Sequence, residues 1–324
     1  MIYGTLRWIA GVALHWFYGD IRVVGREKIP HDAPLLIAVN HTNALVDSLI
    51  IGWLMPRRVV MTAKATLLDN PFIALLFRML GVVPLRRASD EARTQAGQPL
   101  NPARNSGAFR ELLQVLGHNG AVLIFPEGTS HSNRELAPLK SGLARVALQA
   151  RDTAKIKSVH VVPIGLVFED KAMPGSAVGV RIADPIDIDA WPAAANHAAL
   201  TDELTRRLKS VFQESVVPPP PERNSLVSRS WVTDTAIALA AWWGRFTHRL
   251  PIRIARKIAV RMSTDPDEPA MFTIVIGVGL VLATYAIHLA VVGSMSHSFW
   301  TVSLYLIALL TGAHWAAFEP HVKR

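Results

Sequence analysis

Two short segments hold the residue types that could do chemistry: His41-Thr42-Asn43-Ala44-Leu45-Val46-Asp47, and Phe125-Pro126-Glu127-Gly128-Thr129-Ser130. A histidine beside a carboxylate can take a proton from a hydroxyl, the carboxylate holding one imidazole nitrogen while the other stays free. His41 and Asp47 would stand about 120° apart on a continuous helix and share no face. Their pairing therefore requires a turn at His41, Thr42 and Asn43, ahead of a helix that carries Asp47. The alternative is that His41 only bounds that helix and Asp47 is solvated.

In the second segment Pro126 ends a strand, Gly128 permits close backbone approach or a positive φ, and Glu127, Thr129 and Ser130 offer polar groups that could position a polyol. Ser130-His131-Ser132 invites a serine-hydrolase reading, but the chain has no Gly-x-Ser-x-Gly elbow. Basic residues follow strand-like runs as well: Lys64, Arg86 and Arg87, with Lys140 a little beyond the Glu127 turn. A phosphate needs such donors, and the planar arginine fork makes Arg86 or Arg87 the preferred ligand.

Positioning these groups falls to alternating apolar runs and amphipathic stretches. The strand candidates are Ile21 to Glu27, Leu35 to Val39, Val59 to Ala63, Val82 to Leu85, Ala121 to Phe125, Val159 to Phe168 and Ala177 to Ile182. Helix candidates between them are Asp47 to Leu54, Pro71 to Leu80, Ser106 to Leu116, Gly142 to Ala150 and Asp202 to Phe212. Asn119-Gly120 closes the third of these as a helix-ending turn should. This order predicts an α/β domain over residues 31–217, with a mostly parallel central sheet flanked by helices and its site at strand ends. Pro99 and Pro102 argue against a continuous helix over residues 88–105, which reads as a loop. Four consecutive prolines, Pro218 to Pro221, separate the domain from a basic, Trp-rich amphipathic segment that completes residues 218–269. No internal repeat is found.

The composition adds a membrane. Half of the 324 residues are hydrophobic, and from Ala270 to Phe318 there is no Asp, Glu, Lys or Arg. Gly293-Ser294-Met295-Ser296-His297 divides that stretch into two runs of roughly 20 residues, the length of a membrane-spanning helix. Residues 270–318 are thus expected to form a transmembrane hairpin, followed by a basic tail at 319–324. The net charge of +9 does not point to nucleic acid, because eight Arg or Lys against two acids between Glu222 and Thr264 supply six of it. A basic segment beside a hairpin fits the positive-inside rule and anionic headgroups, and sets the catalytic domain on the cytoplasmic side. Residues 1–30 read as an interfacial helix, Ile2 to Tyr18, and its lead-in, without a signal-peptide cleavage site. The absence of cysteine excludes disulfides, thiolate nucleophiles and Cys-ligated metal, and nothing in the sequence sets an oligomeric state.

Asn40-His41 through Asp47, Gly81-Val82-Val83-Pro84-Leu85-Arg86-Arg87, Phe125 through Ser130 and Val162-Pro163-Ile164-Gly165, in that order, resemble the four blocks of the glycerolipid acyltransferase family. The resemblance covers roughly residues 30 to 190. It implies a histidine general base helped by an aspartate, attack of a glycerol hydroxyl on an acyl thioester, and no covalent acyl-enzyme. Those roles fall to His41 and Asp47, with Arg86, Arg87, Glu127, Gly128, Thr129, Ser130 and Lys140 on the acceptor side. Five residues separate His41 from Asp47 where the usual first block has four, and Ser130 stands where the third block often carries Arg. Both departures, with Ser130-His131 and Leu139-Lys140-Ser141-Gly142, look more like the branch that acylates glycerol 3-phosphate or glycerone phosphate in phospholipid biosynthesis. Lysophosphatidate is the competing acceptor. The donor would be a CoA or carrier-protein thioester, with no further cofactor and no metal, and the other partners membrane lipids. A membrane esterase and a non-catalytic lipid-binding protein are the rival classes.

Overall fold

A computed structural model describes residues 2–69, 74, 78, 81–86, 105–131, 135–213, 231–263 and 268–318. The expected helix Pro71 to Leu80 lies almost wholly outside these, as do Arg87, most of the expected loop at 88–105, the four prolines and the basic tail. The strands are β1 (Asp20–Val24), β2 (Leu35–Val39), β3 (Val59–Lys64), β4 (Val83–Leu85), β5 (Ala121–Ile124), β6 (His160–Phe168), β7 (Ala177–Ile182) and β8 (Ile186–Asp187). They form one sheet in the order β1-β7-β6-β2-β5-β3-β4, with β8 alongside β6. Pairing is parallel except where β6 meets β7 and β8. The mostly parallel sheet inferred from the alternating pattern is therefore the one observed.

β2 shows why the pattern was readable. All five of its residues are buried, because a central parallel strand is covered on both faces and reads as a continuous apolar run. Leu35, Ile37 and Val39 point to one core and Leu36 and Ala38 to the other, the two-residue period of a strand. The first core is roofed by α1 (Ile2–Phe17) and α2 (Ala44–Leu54). The second is covered by α3 (Ser106–Gly117), α4 (Gly142–Asp152) and α5 (His197–Gln213). The two-residue β8 was not anticipated, being too short to carry an alternation.

Beyond the sheet, α6 (Trp231–Met262), α7 (Glu268–Ser296) and α8 (Phe299–Phe318) pack on one another. The expected hairpin is α7 and α8, both long and apolar enough to cross a membrane. The basic segment before it is one 32-residue helix that continues through Pro251. Its backbone approaches α8 so closely that a Cβ on Gly244 would lie 1.9 Å from the Gly312 carbonyl oxygen. α1 joins the two parts: Trp16 Nε1 donates to the Ala313 carbonyl at 3.2 Å, while Trp53 of α2 lies over Gly11. At the base of the hairpin, Ala270 and Ile274 enter the first sheet core.

Candidate active site

β2 and β5 are neighbours and parallel, with Ala38 level with Ile124. The residues that follow them, His41 and Glu127, are therefore carried to the same sheet edge, where the strand ends of α/β proteins hold their sites. Asn40 fastens this edge to β6. Its Nδ2 donates to the Leu166 carbonyl at 2.9 Å and its Oδ1 accepts from the Leu166 N–H at 2.7 Å, so the amide imitates one more peptide of the ladder.

His41, Thr42 and Asn43 form the turn that the spacing required, and α2 begins at Ala44 rather than at Asp47. Asp47 is fully buried, and its Oδ2 takes three donors. These are the Thr42 N–H at 2.8 Å, the Asn43 N–H at 2.8 Å and His41 Nδ1 at 3.0 Å. A buried carboxylate needs such partners, and by taking them Asp47 folds the chain back on itself before the helix starts. The next N–H, that of Ala44 at φ +42°, donates to Ser130 Oγ at 3.2 Å. Every backbone N–H from His41 to Ala44 is thus held by a side-chain oxygen.

The His41 ring is stacked on Phe125, with centroids 3.9 Å apart and planes 13° from parallel. Phe125 covers one ring face and Asp47 takes Nδ1, so Nε2 is the ring atom with no protein partner among the described residues. Because an ionised carboxylate only accepts, Nδ1 carries the hydrogen and Nε2 the lone pair. That arrangement can remove a proton from a hydroxyl placed at Nε2.

The acceptor-side candidates separate. The Glu127 carboxylate is 3% exposed and faces protein on both oxygens: Oε1 accepts from the His41 N–H at 2.6 Å, and Oε2 meets His131 Nε2 and the Ala137 N–H. Gly128, at φ +79°, makes the turn, Thr129 is exposed, and Ser130 caps α2 through Oγ. Lys140 is brought to this turn, its N–H donating to the Pro126 carbonyl at 2.7 Å and its Cγ beside Gly128. Arg86, exposed at the end of β4 with its backbone bracketed by Asn105, stands two strands beyond β5. Neighbouring strands lie about 4.8 Å apart, so Arg86 stands three strand spacings along the sheet edge from the strand that leads to His41.

Sequence reasoning overlooked the other side of the turn. Tyr18, at the end of α1 and fully buried, accepts from Asn43 Nδ2 at 2.7 Å and donates to the Lys171 carbonyl at 2.9 Å. Lys171 Nζ in turn donates to the Thr42 carbonyl at 2.9 Å. Burial raises the Tyr18 pKa well above its ordinary value and so keeps the hydroxyl a donor. No local signal could have found these residues, since Tyr18 and Lys171 lie 25 and 128 positions from Asn43. Replacing Tyr18 with Phe is expected to lower stability by about 1–3 kcal/mol, since two hydrogen bonds are lost and the buried Asn43 amide gives up its 2.7 Å acceptor. It should also lower kcat several-fold, because one anchor of the His41 turn is lost. Thermal unfolding and steady-state rates check the two effects.

A model of the family described as Acyltransferase matches residues 20–167. Glycerol-3-phosphate O-acyltransferase 1 of Saccharomyces cerevisiae is 23% identical over 300 residues, an alignment covering 65% of this chain and 39% of that one. 1-acyl-sn-glycerol-3-phosphate acyltransferase of Cocos nucifera is 28% identical over 191 residues, covering 56% of this chain and 55% of that one. The chain thus spans about two fifths to about half the length of these curated relatives. A crystal structure of the 1-acyl-sn-glycerophosphate acyltransferase from Thermotoga maritima superposes with a TM-score of 0.49 at 20% identity, covering 66% of this chain and 79% of that one. Residues 20–167 are thus an acyltransferase domain, and with the four blocks they contain they are similar to the glycerolipid acyltransferases.

Proposed function

We propose that the chain is an O-acyltransferase that moves a fatty acyl group from an acyl thioester to a hydroxyl of glycerol 3-phosphate or glycerone phosphate, at a membrane and on its cytoplasmic side. The observation that carries this reading is the His41–Asp47 pair, with Nδ1 engaged, Nε2 open and the turn beneath it tied at each N–H. His41 Nε2 takes the acceptor hydroxyl proton as the oxygen attacks the thioester carbonyl. The tetrahedral intermediate collapses, the carbon–sulfur bond breaks, and the imidazolium returns its proton to the departing thiolate. The products are an ester and a free thiol, with no acyl-enzyme between them. Asp47 stabilises the imidazolium that forms midway. The thioester, of CoA or of a carrier protein, is consumed as a co-substrate.

We assign the acceptor phosphate to Lys140, beside the Gly128 turn, and to Arg86, with Arg87 adjoining Arg86 in sequence. The hairpin of α7 and α8 keeps the site near a product that partitions into lipid. The basic α6 and tail favour the cytoplasmic face for the α/β domain. Detergent-purified protein assayed with acyl-CoA against glycerol 3-phosphate, glycerone phosphate and lysophosphatidate side by side tests the reading. Esterification of either of the first two is the expected result. Acylation of lysophosphatidate alone would overturn the acceptor assignment, and release of free fatty acid without any acceptor would overturn acyl transfer itself.

A further inference from the structure

His41 is held by its main chain at both ends, and by residues of a single turn. Its N–H donates to Glu127 Oε1 at 2.6 Å, and its carbonyl accepts from the His131 N–H at 3.1 Å. Glu127 Oε2 meets His131 Nε2, so His41, Glu127 and His131 close a ring of three contacts. The histidine that serves as base is thereby clamped through its backbone by a second histidine–carboxylate pair.

We propose that His131 is a positioning residue for His41, acting through Glu127. The proposal rests on His41 being the general base. An ionised carboxylate only accepts, so His131 must present a hydrogen at Nε2. That contact, together with the Ala137 N–H at 2.8 Å, fixes the rotation of the Glu127 carboxylate. With the rotation fixed, Oε1 stays aimed at the His41 N–H. Remove the His131 donor and Oε2 keeps one partner of two, the carboxylate turns about its last bond, and the His41 main chain loses a defined position. The ring of His41, its contact with Asp47 and the open Nε2 shift with it. Displacements of about 1 Å at a reacting group can cost 10²-fold in rate. His131 Nδ1 has no partner among the described residues, and the contact on which the positioning role rests is that of Nε2 with Glu127.

Two variants of the full chain test this. His131→Phe keeps the ring volume and deletes the donor, whereas His131→Gln retains an N–H that can reach Glu127. His131→Phe is expected to lower kcat roughly 10- to 100-fold, as loss of precise positioning does, with KM for glycerol 3-phosphate nearly unchanged. His131→Gln should recover most of the rate. A raised KM with kcat kept would make His131 an acceptor ligand and overturn the proposal, as would parent-like kinetics in both variants. Should His131→Phe fail to fold, His131→Asn, whose amide stops short of Glu127, replaces it with the same expectations. Histidine-labelled protein supplies a second readout that needs no turnover: the proton on His41 Nδ1, identified by its loss in His41→Gln. It should shift or broaden in His131→Phe and return in His131→Gln; an unmoved signal would sink the idea. Failure of the parent to acylate any acceptor counts against the proposed reaction instead, and leaves this signal to be read.

Discussion

His41→Ala is expected to lower kcat for acyl transfer by about 10²–10⁴-fold, the usual contribution of a positioned general base. The protein should stay folded. What the substitution deletes is the Nδ1 contact with Asp47 and the stack on Phe125; the two backbone bonds of residue 41, to Glu127 and from His131, need no side chain. Asp47 Oδ2 keeps its two remaining donors, the Thr42 and Asn43 N–H groups. KM for the acceptor should change little, since the phosphate is assigned to cations elsewhere on the sheet edge. Steady-state kinetics beside a thermal melt make the comparison, and a rate within tenfold of the parent at unchanged stability would rule His41 out as the base.

Asp47 does two jobs, and two substitutions separate them. Asp47→Asn can keep the turn, because the amide oxygen can replace Oδ2 as acceptor for all three donors. Its NH2 then falls where Asp47 Oδ1 is buried without a partner, at a cost of about 1–3 kcal/mol for an unsatisfied buried group. The negative charge is gone, so the imidazolium formed during the reaction loses its stabilisation, and kcat is expected to fall about 10²-fold or more. Asp47→Ala removes the acceptor itself. Three donors, two of them buried backbone N–H groups, are then orphaned at once, and a loss of roughly 2–6 kcal/mol is expected at about 1–3 kcal/mol for each buried one, enough to unfold a protein of ordinary stability in part. A parent-like kcat in Asp47→Asn would mean that the charge contributes nothing, and equal damage from both variants, in rate and in melting temperature, would mean that the turn adds nothing beyond the charge.

How far the site could be read in advance differs from residue to residue. The strands β2 and β7 are found at the bounds inferred from their apolar runs, because Pro34 and Asn40 bracket the first, which is buried throughout, and the second turns Val178, Val180 and Ile182 to the core in strict alternation. The start of α2 was set three residues late. Asp47 acts from within the first turn of its own helix, and its grip on Thr42 and Asn43 lets the helix begin where the turn ends. α6 was readable as basic and amphipathic but not as one uninterrupted helix. Its arginines and Pro251 break the local signal, and contact with α7 and α8 restores the helix. Glu127 was expected to offer a polar group to a polyol, and its oxygens engage the His41 backbone, His131 and the Ala137 N–H. Nothing local distinguishes a carboxylate that meets a ligand from one that meets a turn 86 residues away.

Local pattern by itself determined the element types, the positions of His41 and Glu127 at strand ends, the need for a turn before Asp47, and the apolar hairpin. Each follows from periodicity, proline and glycine placement or charge, which act over a few residues. Only the tertiary structure decided that β2 lies between β5 and β6, and everything that depends on it. That order puts Glu127 and His131 under His41, brings Lys171 and Tyr18 to the other side of the same turn, and leaves Arg86 on the sheet's edge strand. Strand order is chosen by how whole apolar faces pack across the sheet, and that energy is summed over residues too far apart in the chain to leave a mark on any one segment.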